Sequence, residues 1–185
     1  MENDLNVVGQ RLPMHDAAAK AKGTAQFTDD ITFPGMLHGR ILRSPYAHAK
    51  ILHIDTSKAE KLPGVRAVIT GYNTPEIRIG FIRDNFALKR DKVRQFRDEV
   101  AAVAATDPDI AAEAIDLIRV EYEDLPGVFT PREALGEDAP IVHETDLRER
   151  PKADNIVPVP WKFETGDALK ARDEAAYVVE ENYST

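Results

Sequence analysis

The sequence contains no cysteine among its 185 residues. The chain therefore supplies no disulfide, no thiolate ligand for a metal, no attachment point for an iron-sulfur cluster and no cysteine nucleophile. A redox function would consequently depend on a cofactor that is held by other means or by another chain.

Long apolar runs are also missing. No stretch approaches the roughly 18 consecutive apolar residues from which a membrane-spanning helix is built. The first 14 residues, which we predict to form an N-terminal arm, lack the basic and apolar regions of an export signal. We therefore expect a cytoplasmic protein that does not contact a membrane.

Positive charge is scarce, because 24 Lys and Arg residues stand against 32 Asp and Glu residues and give a net charge of -8. Nucleic-acid backbones are bound by broad basic faces, so we expect no nucleic-acid partner.

Residues 136–185 carry 12 of the acids and only 6 of the basic residues. The same region contains Pro140, Pro151, Pro158 and Pro160, which disfavour helix and sheet pairing. We predict that it begins as an extended linker.

What the sequence does contain is typical of a globular domain, with 43% hydrophobic and 30% charged residues. Short apolar or β-branched runs bounded by Pro, Gly or Ser predict strands at residues 25–31, 36–42, 49–55, 65–70, 100–106 and 120–125. Helices are predicted at residues 57–62 and between Thr106 and Ile118. We therefore predict an α+β fold, with a mixed sheet and a few short helices, for a domain that spans residues 15–135.

The second helix has the clearest pattern. Thr106 or Asp107 can cap its first turn, and Pro108 suits the first helical position. Its apolar residues recur at helical spacing and form one stripe. A strand lies on each side of it, and such strand-helix-strand units usually place both strands in one sheet. We expect that arrangement here.

The segment Arg43-Ser-Pro-Tyr-Ala-His-Ala49 lies between two predicted strands and is the first candidate site. Ser44 and His48 would form a nucleophile and its base only if a third group oriented the histidine beside an oxyanion hole. Ser44-Pro45 is also typical of a turn. The alternative hypothesis is therefore that the segment is structural, with His48 packed or hydrogen-bonded across the sheet.

Three other patterns suggest sites without establishing one. The histidines, at positions 15, 38, 48, 53 and 143, lack the close spacing of a zinc site. Asp29-Asp30 could act as paired carboxylates but is more typical of a turn or cap. Residues 78–97 hold seven basic residues against two acids, which indicates a solvated loop or a surface that faces an acidic partner.

Four blocks occur in this order along the sequence: DAAAKAKGTAQFTDDITFPGMLHG, RSPYAHAKILHIDTSKAEKLPGVRAVITG, DEVAAVAATDPDIAAEAIDLIRVEYEDLPGVFTPREAL and GDALKARDEAAYVVEENYST. They resemble the N-terminal a/b hammerhead region of the molybdopterin-binding (large) subunit of the xanthine dehydrogenase and aldehyde oxidase family. The first block carries the family's entry pattern at Lys20, Gly23, Ala25, Phe27, Thr28 and Asp30. The last resembles the opening of a molybdopterin-binding domain. Relatives usually have glycine at the position of Arg97, so an arginine with positive φ would be strained there.

The resemblance implies an N-terminal fragment of a molybdenum hydroxylase-type oxidoreductase subunit. In that family the pterin-binding and catalytic residues lie downstream of these blocks, so no catalytic, cofactor-binding or metal-binding residue can be assigned to this chain. The implied cofactor of the complete enzyme is molybdopterin with molybdenum. The implied partners are the remaining molybdopterin-domain chain and subunits that carry 2Fe-2S clusters, with or without FAD. Residues 136–185 would then be the linker and the start of an incomplete molybdopterin-binding domain.

The role implied for the chain is architectural, as a scaffold and docking module that is not catalytic alone. A stand-alone binding or regulatory module that kept the hammerhead fold is the alternative. A small hydrolase that uses His48 is a third hypothesis. The resemblance does not select a substrate, because the family acts on purines, aldehydes, N-heterocycles and carbon monoxide.

Overall fold

Short strands alternate with short helices in the computed structural model of the chain, which describes residues 7–80, 83, 85–143, 155–156 and 162–183. The described residues form eight strands: β1 (His38–Arg43), β2 (Ala49–Asp55), β3 (Val65–Thr70), β4 (Arg78–Ile79), β5 (Asn85–Phe86), β6 (Lys92–Val93), β7 (Glu99–Ala105) and β8 (Arg119–Asp124). They also form five α-helices: α1 (Ala17–Ala21), α2 (Ser57–Glu60), α3 (Pro108–Leu117), α4 (Pro131–Ala134) and α5 (Ala168–Asp173). The predicted α+β class is confirmed.

The strands are distributed over three small sheets, with the orders β1-β7-β3, β6-β2-β8 and β4-β5. In the second sheet β2 and β6 are antiparallel, with Ala49 opposite Val93. The prediction that the strands on either side of α3 share one sheet is wrong. Because β1 and β3 occupy both edges of β7, the chain leaves α3 and pairs β8 with β2 instead.

The prediction of a strand at residues 25–31 is also wrong. Thr28–Asp30 forms one turn of 3-10 helix. The Asp30 carboxylate accepts a hydrogen bond from the backbone N–H of Phe27 at 2.9 Å, so the side chain closes a local turn. Asp29-Asp30 therefore belongs to a turn and cap, which was the alternative that the pattern favoured.

The chain folds into two compact units. Unit 1 comprises residues 1–42, 54–69 and 101–119, and unit 2 comprises residues 43–53, 70–100 and 120–185. The core of unit 1 is built by β7 and α3, which bury Ala101, Val103, Ala105, Ala111 and Ala114 almost fully. Asp107 caps α3 as predicted, because its carboxylate accepts the N–H of Asp109 at 2.8 Å.

Gly64 holds the turn that precedes β3 in unit 1. Its φ of 95° lies in the left-handed region, and an added Cβ would lie 2.7 Å from Cδ1 of Ile110. The Gly64 carbonyl accepts a hydrogen bond from the N–H of Thr106 at 3.0 Å. The turn therefore packs directly against the start of α3, and both its φ and its close packing favour glycine.

The C-terminal part of the chain has a different character from either core. Every described side chain between residues 162 and 183 is exposed, including Phe163, Tyr177 and Tyr183 at 91% each. Helix α5 lies in this segment and has no buried residue. Among the described helices, none is both long and apolar enough to cross a bilayer.

Candidate functional site

The segment of residues 43–49, which we call the signature segment, lies in unit 2 and connects β1 to β2. The hydroxyl oxygen of Ser44 accepts the N–H of Tyr46 at 3.0 Å and also lies 3.0 Å from the Tyr46 carbonyl, to which it donates. Such a hydroxyl closes a tight turn through its own neighbouring backbone. The Ser44 hydroxyl is therefore committed to a structural contact.

His48 is 4% exposed and lies at the opposite end of the segment. Its Nδ1 is 2.6 Å from the carbonyl oxygen of Pro126, which can only accept, so Nδ1 carries the proton and donates. The His48 carbonyl accepts the N–H of Leu125 at 2.9 Å. Through these two hydrogen bonds, His48 links the start of β2 to the end of β8.

Ser44 and His48, the candidate nucleophile and its base, therefore form hydrogen bonds to different backbone carbonyls. Within the described residues, Nε2 of His48 is buried and has no hydrogen-bond partner. The Ser44 hydroxyl donates to the Tyr46 carbonyl, so no hydrogen bond between the two side chains orients the serine for attack. This geometry agrees with the structural hypothesis for the signature segment.

Aromatic packing adds to these contacts. The rings of Tyr46 and Tyr122 are 5.1 Å apart between centroids and tilted by 45°, a favourable arrangement for aromatic pairs. Burial raises the pKa of the Tyr122 phenol, which also hydrogen-bonds with Ser44. The phenol therefore remains neutral and contributes packing and one polar contact.

Four charged side chains lie beside the start of the signature segment, and we call Arg43, Lys89, Asp98 and Glu99 the charged cluster. Lys89 is 3% exposed and Asp98 is 1% exposed. The ammonium of Lys89 lies 3.3 Å from Oδ1 of Asp98 and 3.4 Å from Oε2 of Glu99. Arg43 pairs with the other carboxylate oxygen of Glu99. Two cations and two anions therefore balance each other, with Lys89 and Asp98 buried and the side chains of Arg43 and Glu99 38% and 31% exposed.

Burial raises the pKa of Glu99, but hydrogen bonds from its own backbone and from Arg43 lower it. The positive charges of Lys89 and Arg43 act in the same direction, so the pKa of Glu99 is lowered overall. Glu99 is thus held as a carboxylate that links the two cations. A buried ammonium such as that of Lys89 would be costly without these partners.

Asp98 also organises a turn at residues 94–98, which we call the 94–98 turn. Its Oδ2 accepts the N–H groups of Arg94 at 2.7 Å and Gln95 at 3.3 Å. The N–H of Arg97 donates to the Ser44 carbonyl at 3.1 Å, and Arg43 donates to the Arg97 carbonyl at 3.0 Å. The signature segment and the charged cluster together fix this turn.

Arg97 adopts a φ of 68°, in the left-handed region that favours glycine. The position therefore does require a positive φ, and the arginine is strained as expected from the sequence. Arg97 is exposed, and so are Gln95 and Phe96. The strained residue lies at the tip of the turn and not in the core.

The basic segment at residues 78–97 is only partly a solvated loop. That prediction is wrong for Lys89 and Lys92, which are 3% and 8% exposed. Cζ of Arg78 lies 4.9 Å from the centre of the Phe86 ring, a cation-π contact. Three of the basic side chains in this segment, those of Arg78, Lys89 and Lys92, are therefore buried or in contact with other residues of unit 2.

The charged cluster was not identified from the sequence. Lys89 lies nine residues before Asp98, so their pairing depends on a turn that periodicity does not predict. One clue was present, because Asp98 and Glu99 come directly before the apolar run of β7. Carboxylates at the start of a buried strand require partners.

The candidate metal ligands do not form a centre. Within the ranges that the structure covers, no three His, Asp or Glu side chains form a group that could hold a metal ion.

The sequence of residues 22–126 matches the family model described as aldehyde oxidase and xanthine dehydrogenase, a/b hammerhead domain. The chain belongs to this family. The signature segment, the charged cluster and the 94–98 turn therefore all lie within its a/b hammerhead domain.

Curated relatives and solved structures agree with this assignment. The nicotinate dehydrogenase large molybdopterin subunit of Eubacterium barkeri is 39% identical over 187 residues, covering 100% of this chain and 42% of the relative. The probable hypoxanthine oxidase of Escherichia coli (strain K12) is 42% identical over 150 residues, covering 77% and 16%. Reconstituted CO dehydrogenase from Oligotropha carboxidovorans superimposes with a TM-score of 0.66 at 38% identity, covering 72% and 17%. The hammerhead-containing chain thus spans less than half the length of these relatives.

Proposed function

We propose that this chain is the hammerhead-bearing part of a molybdenum hydroxylase-type oxidoreductase subunit. In this role it is a scaffold and docking module for the molybdopterin-binding domains and is not catalytic alone. The observation that carries the proposal is the match of residues 22–126 to the hammerhead family model. A relative that is named as a large molybdopterin subunit aligns with all of the chain and extends well beyond it in length, which supports the same role.

The geometry of unit 2 favours a structural role over a catalytic one. The Ser44 hydroxyl and Nδ1 of His48 both donate to backbone carbonyls, and the charged cluster is balanced within the fold. Nε2 of His48 has no partner among the described residues, but it is buried and the Ser44 hydroxyl donates to the Tyr46 carbonyl, so the two side chains are not arranged as a base and its nucleophile. Hydrogen-bonded polar groups of this kind rigidify a domain. A rigid module is what a multi-centre redox enzyme needs to fix the distances between its parts.

We further propose the domain limits within this chain. Residues 1–14 form an N-terminal arm, residues 15–135 form the hammerhead domain, and residues 136–185 form a linker and the start of a molybdopterin-binding domain. The match at 22–126 lies inside the second range. The exposed apolar side chains of residues 162–183 are consistent with a segment that packs only when more of that domain is present.

The complete enzyme in this proposal contains the molybdenum cofactor, and its other subunits carry 2Fe-2S clusters with or without FAD. Within the ranges that the structure describes, the hollow at residues 163–169 does not fit the pterin group. A cofactor of that size needs a deep cleft lined from several chain segments. The hollow at residues 163–169 is lined by seven consecutive exposed residues. We therefore assign this chain no step of the chemistry, and we propose that the enzyme acts in the cytoplasm.

Affinity purification of the tagged full chain from its host, followed by mass spectrometry and molybdenum analysis, tests the proposal. We expect a molybdopterin-binding chain, iron-sulfur subunits and bound molybdenum in the purified material. Recovery of the chain alone, as a folded monomer without molybdenum, would instead support a stand-alone binding or regulatory module and would overturn the proposal. A His48→Ala variant provides a further check, because loss of a hydrolytic activity in it would favour the hydrolase hypothesis.

A further inference from the structure

Arg97 occupies a strained backbone position without a side-chain contact that explains it. A left-handed φ costs an ordinary residue free energy that glycine avoids. Within the part of the chain that the structure describes, the Arg97 guanidinium forms no hydrogen bond and no ion pair, and only its backbone is anchored. The fold thus holds the arginine in place but gains nothing from its side chain.

The side chain of Phe96, the residue before Arg97, is also exposed. The ring is 64% exposed although it lies two residues before a fully buried carboxylate. Aromatic and arginine side chains are the types most enriched where binding energy concentrates in protein interfaces. An exposed phenylalanine next to an exposed arginine at the tip of one turn therefore has the composition of a binding element.

Hydrogen bonds within unit 2 hold the 94–98 turn in place without a partner. Asp98 accepts two of its N–H groups from inside the fold, and its own N–H donates to the Gln95 carbonyl at 3.2 Å. Arg43 and both backbone polar groups of Ser44 hold the other side of the turn. Preorganisation of this kind lowers the entropy cost of binding.

We propose that Phe96 and Arg97 form a docking element for the remaining molybdopterin-binding part of the enzyme. This inference rests on the proposed function. The partner surface should offer a carboxylate beside an apolar recess, since these complement a guanidinium and a phenyl ring. The length of the relatives favours this occupant, because this chain covers 42% and 16% of the two curated relatives described above. The overall charge of -8 disfavours nucleic acid.

Arg83 is a matched control for Arg97. It is the other non-glycine residue with a positive φ, 52°, among the described residues, and it is also exposed. Replacing either arginine by glycine removes one positive charge and relieves one strained φ. The two variants therefore differ only in the place from which the side chain is lost.

The experiment measures the melting temperature of the full chain and its Kd for the molybdopterin-binding chain that co-purifies with it. Arg97→Gly should raise Tm by about 2–4 °C, since the strain is relieved, yet weaken binding by about tenfold or more. Arg83→Gly should raise Tm to a similar degree and leave the Kd within about twofold of wild type. Arg97→Lys, which keeps the charge, should recover part of the lost affinity.

A photo-crosslinking residue in place of Phe96 gives an independent result. We expect a cross-link to the molybdopterin-binding chain near an acidic residue, and none from the same crosslinker in place of Phe129, which is 75% exposed. Unchanged affinity of Arg97→Gly, or cross-linking to nucleic acid or to a second copy of this chain, would overturn the docking element alone. If the wild-type chain binds no molybdopterin-binding chain, the proposed function fails first and the docking element fails with it.

Discussion

Unit 1 and unit 2 bury different kinds of side chain. In unit 1 the described buried side chains are all apolar, and they come mainly from β7 and α3. Unit 2 contains all of the described buried polar or charged side chains: Ser44, His48, Thr70, Lys89, Lys92 and Asp98. One chain therefore uses two means of stabilisation. Unit 1 depends on close packing of small apolar groups, whereas unit 2 combines buried apolar residues such as Ile51, Val93 and Val100 with buried polar groups that pair with one another.

The largest effect is expected from Asp98→Asn in unit 2. The amide keeps the shape of the side chain and an oxygen for the N–H groups of Arg94 and Gln95, but it removes the charge that faces the buried Lys89. A buried charge that loses its only partner typically costs about 3–5 kcal/mol, and because Lys89 keeps Glu99 and the Phe86 carbonyl we expect a loss at the low end of this range, about 3 kcal/mol. Urea unfolding should show a loss of that size in the free energy of unfolding.

Glu123→Gln is the matched control for that substitution. Glu123 pairs with Lys50 at 2.9 Å, but both side chains are about half exposed. Exposed pairs of this kind contribute about 0–1 kcal/mol. Equally small losses from Asp98→Asn and Glu123→Gln would show that unit 2 does not depend on its buried charges.

A smaller effect is expected in unit 1 from Val103→Ala. Val103 is 2% exposed in β7, so the substitution removes buried methyl groups and leaves a cavity. The free energy of unfolding should fall by about 2 kcal/mol. The same substitution at Val179, which is 82% exposed, should change it by less than about 0.5 kcal/mol. A loss at Val179 as large as that at Val103 would mean that the C-terminal segment is packed in solution.

Most of unit 1 could be predicted from the sequence, because its determinants are local. Asp107, Pro108 and the apolar stripe specified α3, and the β-branched run at residues 65–70 is the strand β3. The strand predicted at residues 25–31 failed because its apolar residues alternate as in a strand while the Asp30 carboxylate closes a turn. Periodicity records where apolar groups fall, but it does not record such a side-chain to backbone bond.

The candidate site in unit 2 was less predictable. The sequence favours structural roles for Ser44 and His48. It does not identify the backbone carbonyls of Tyr46 and Pro126 as their hydrogen-bond acceptors, because these contacts depend on the fold. The pairing of Lys89 with Asp98 depends on the 94–98 turn, and it was missed. The separation of β7 and β8 into two sheets was missed for a related reason, since it depends on which strands already occupy the edges of β7. Such features arise from tertiary contacts between distant residues.

The smallest effect concerns pH and Glu99. Burial tends to raise the pKa of Glu99, but Arg43 and Lys89 bring it below its ordinary value of 4.5. A carboxyl group with a lower pKa in the folded state stabilises the fold above its unfolded pKa, and this contribution is lost as the pH falls through the folded pKa.

At neutral pH we expect Glu99→Gln to lower the free energy of unfolding by about 1 kcal/mol. The difference between wild type and Glu99→Gln should shrink as the pH falls below about 4.5, measured by urea unfolding from about pH 6 to about pH 3. Glu121→Gln, at an exposed position on β8, controls for the loss of any one acid. A difference that stays constant over this range would mean that Glu99 contributes packing to the charged cluster but not charge, and unit 2 would then resemble unit 1 more closely than its buried residues indicate.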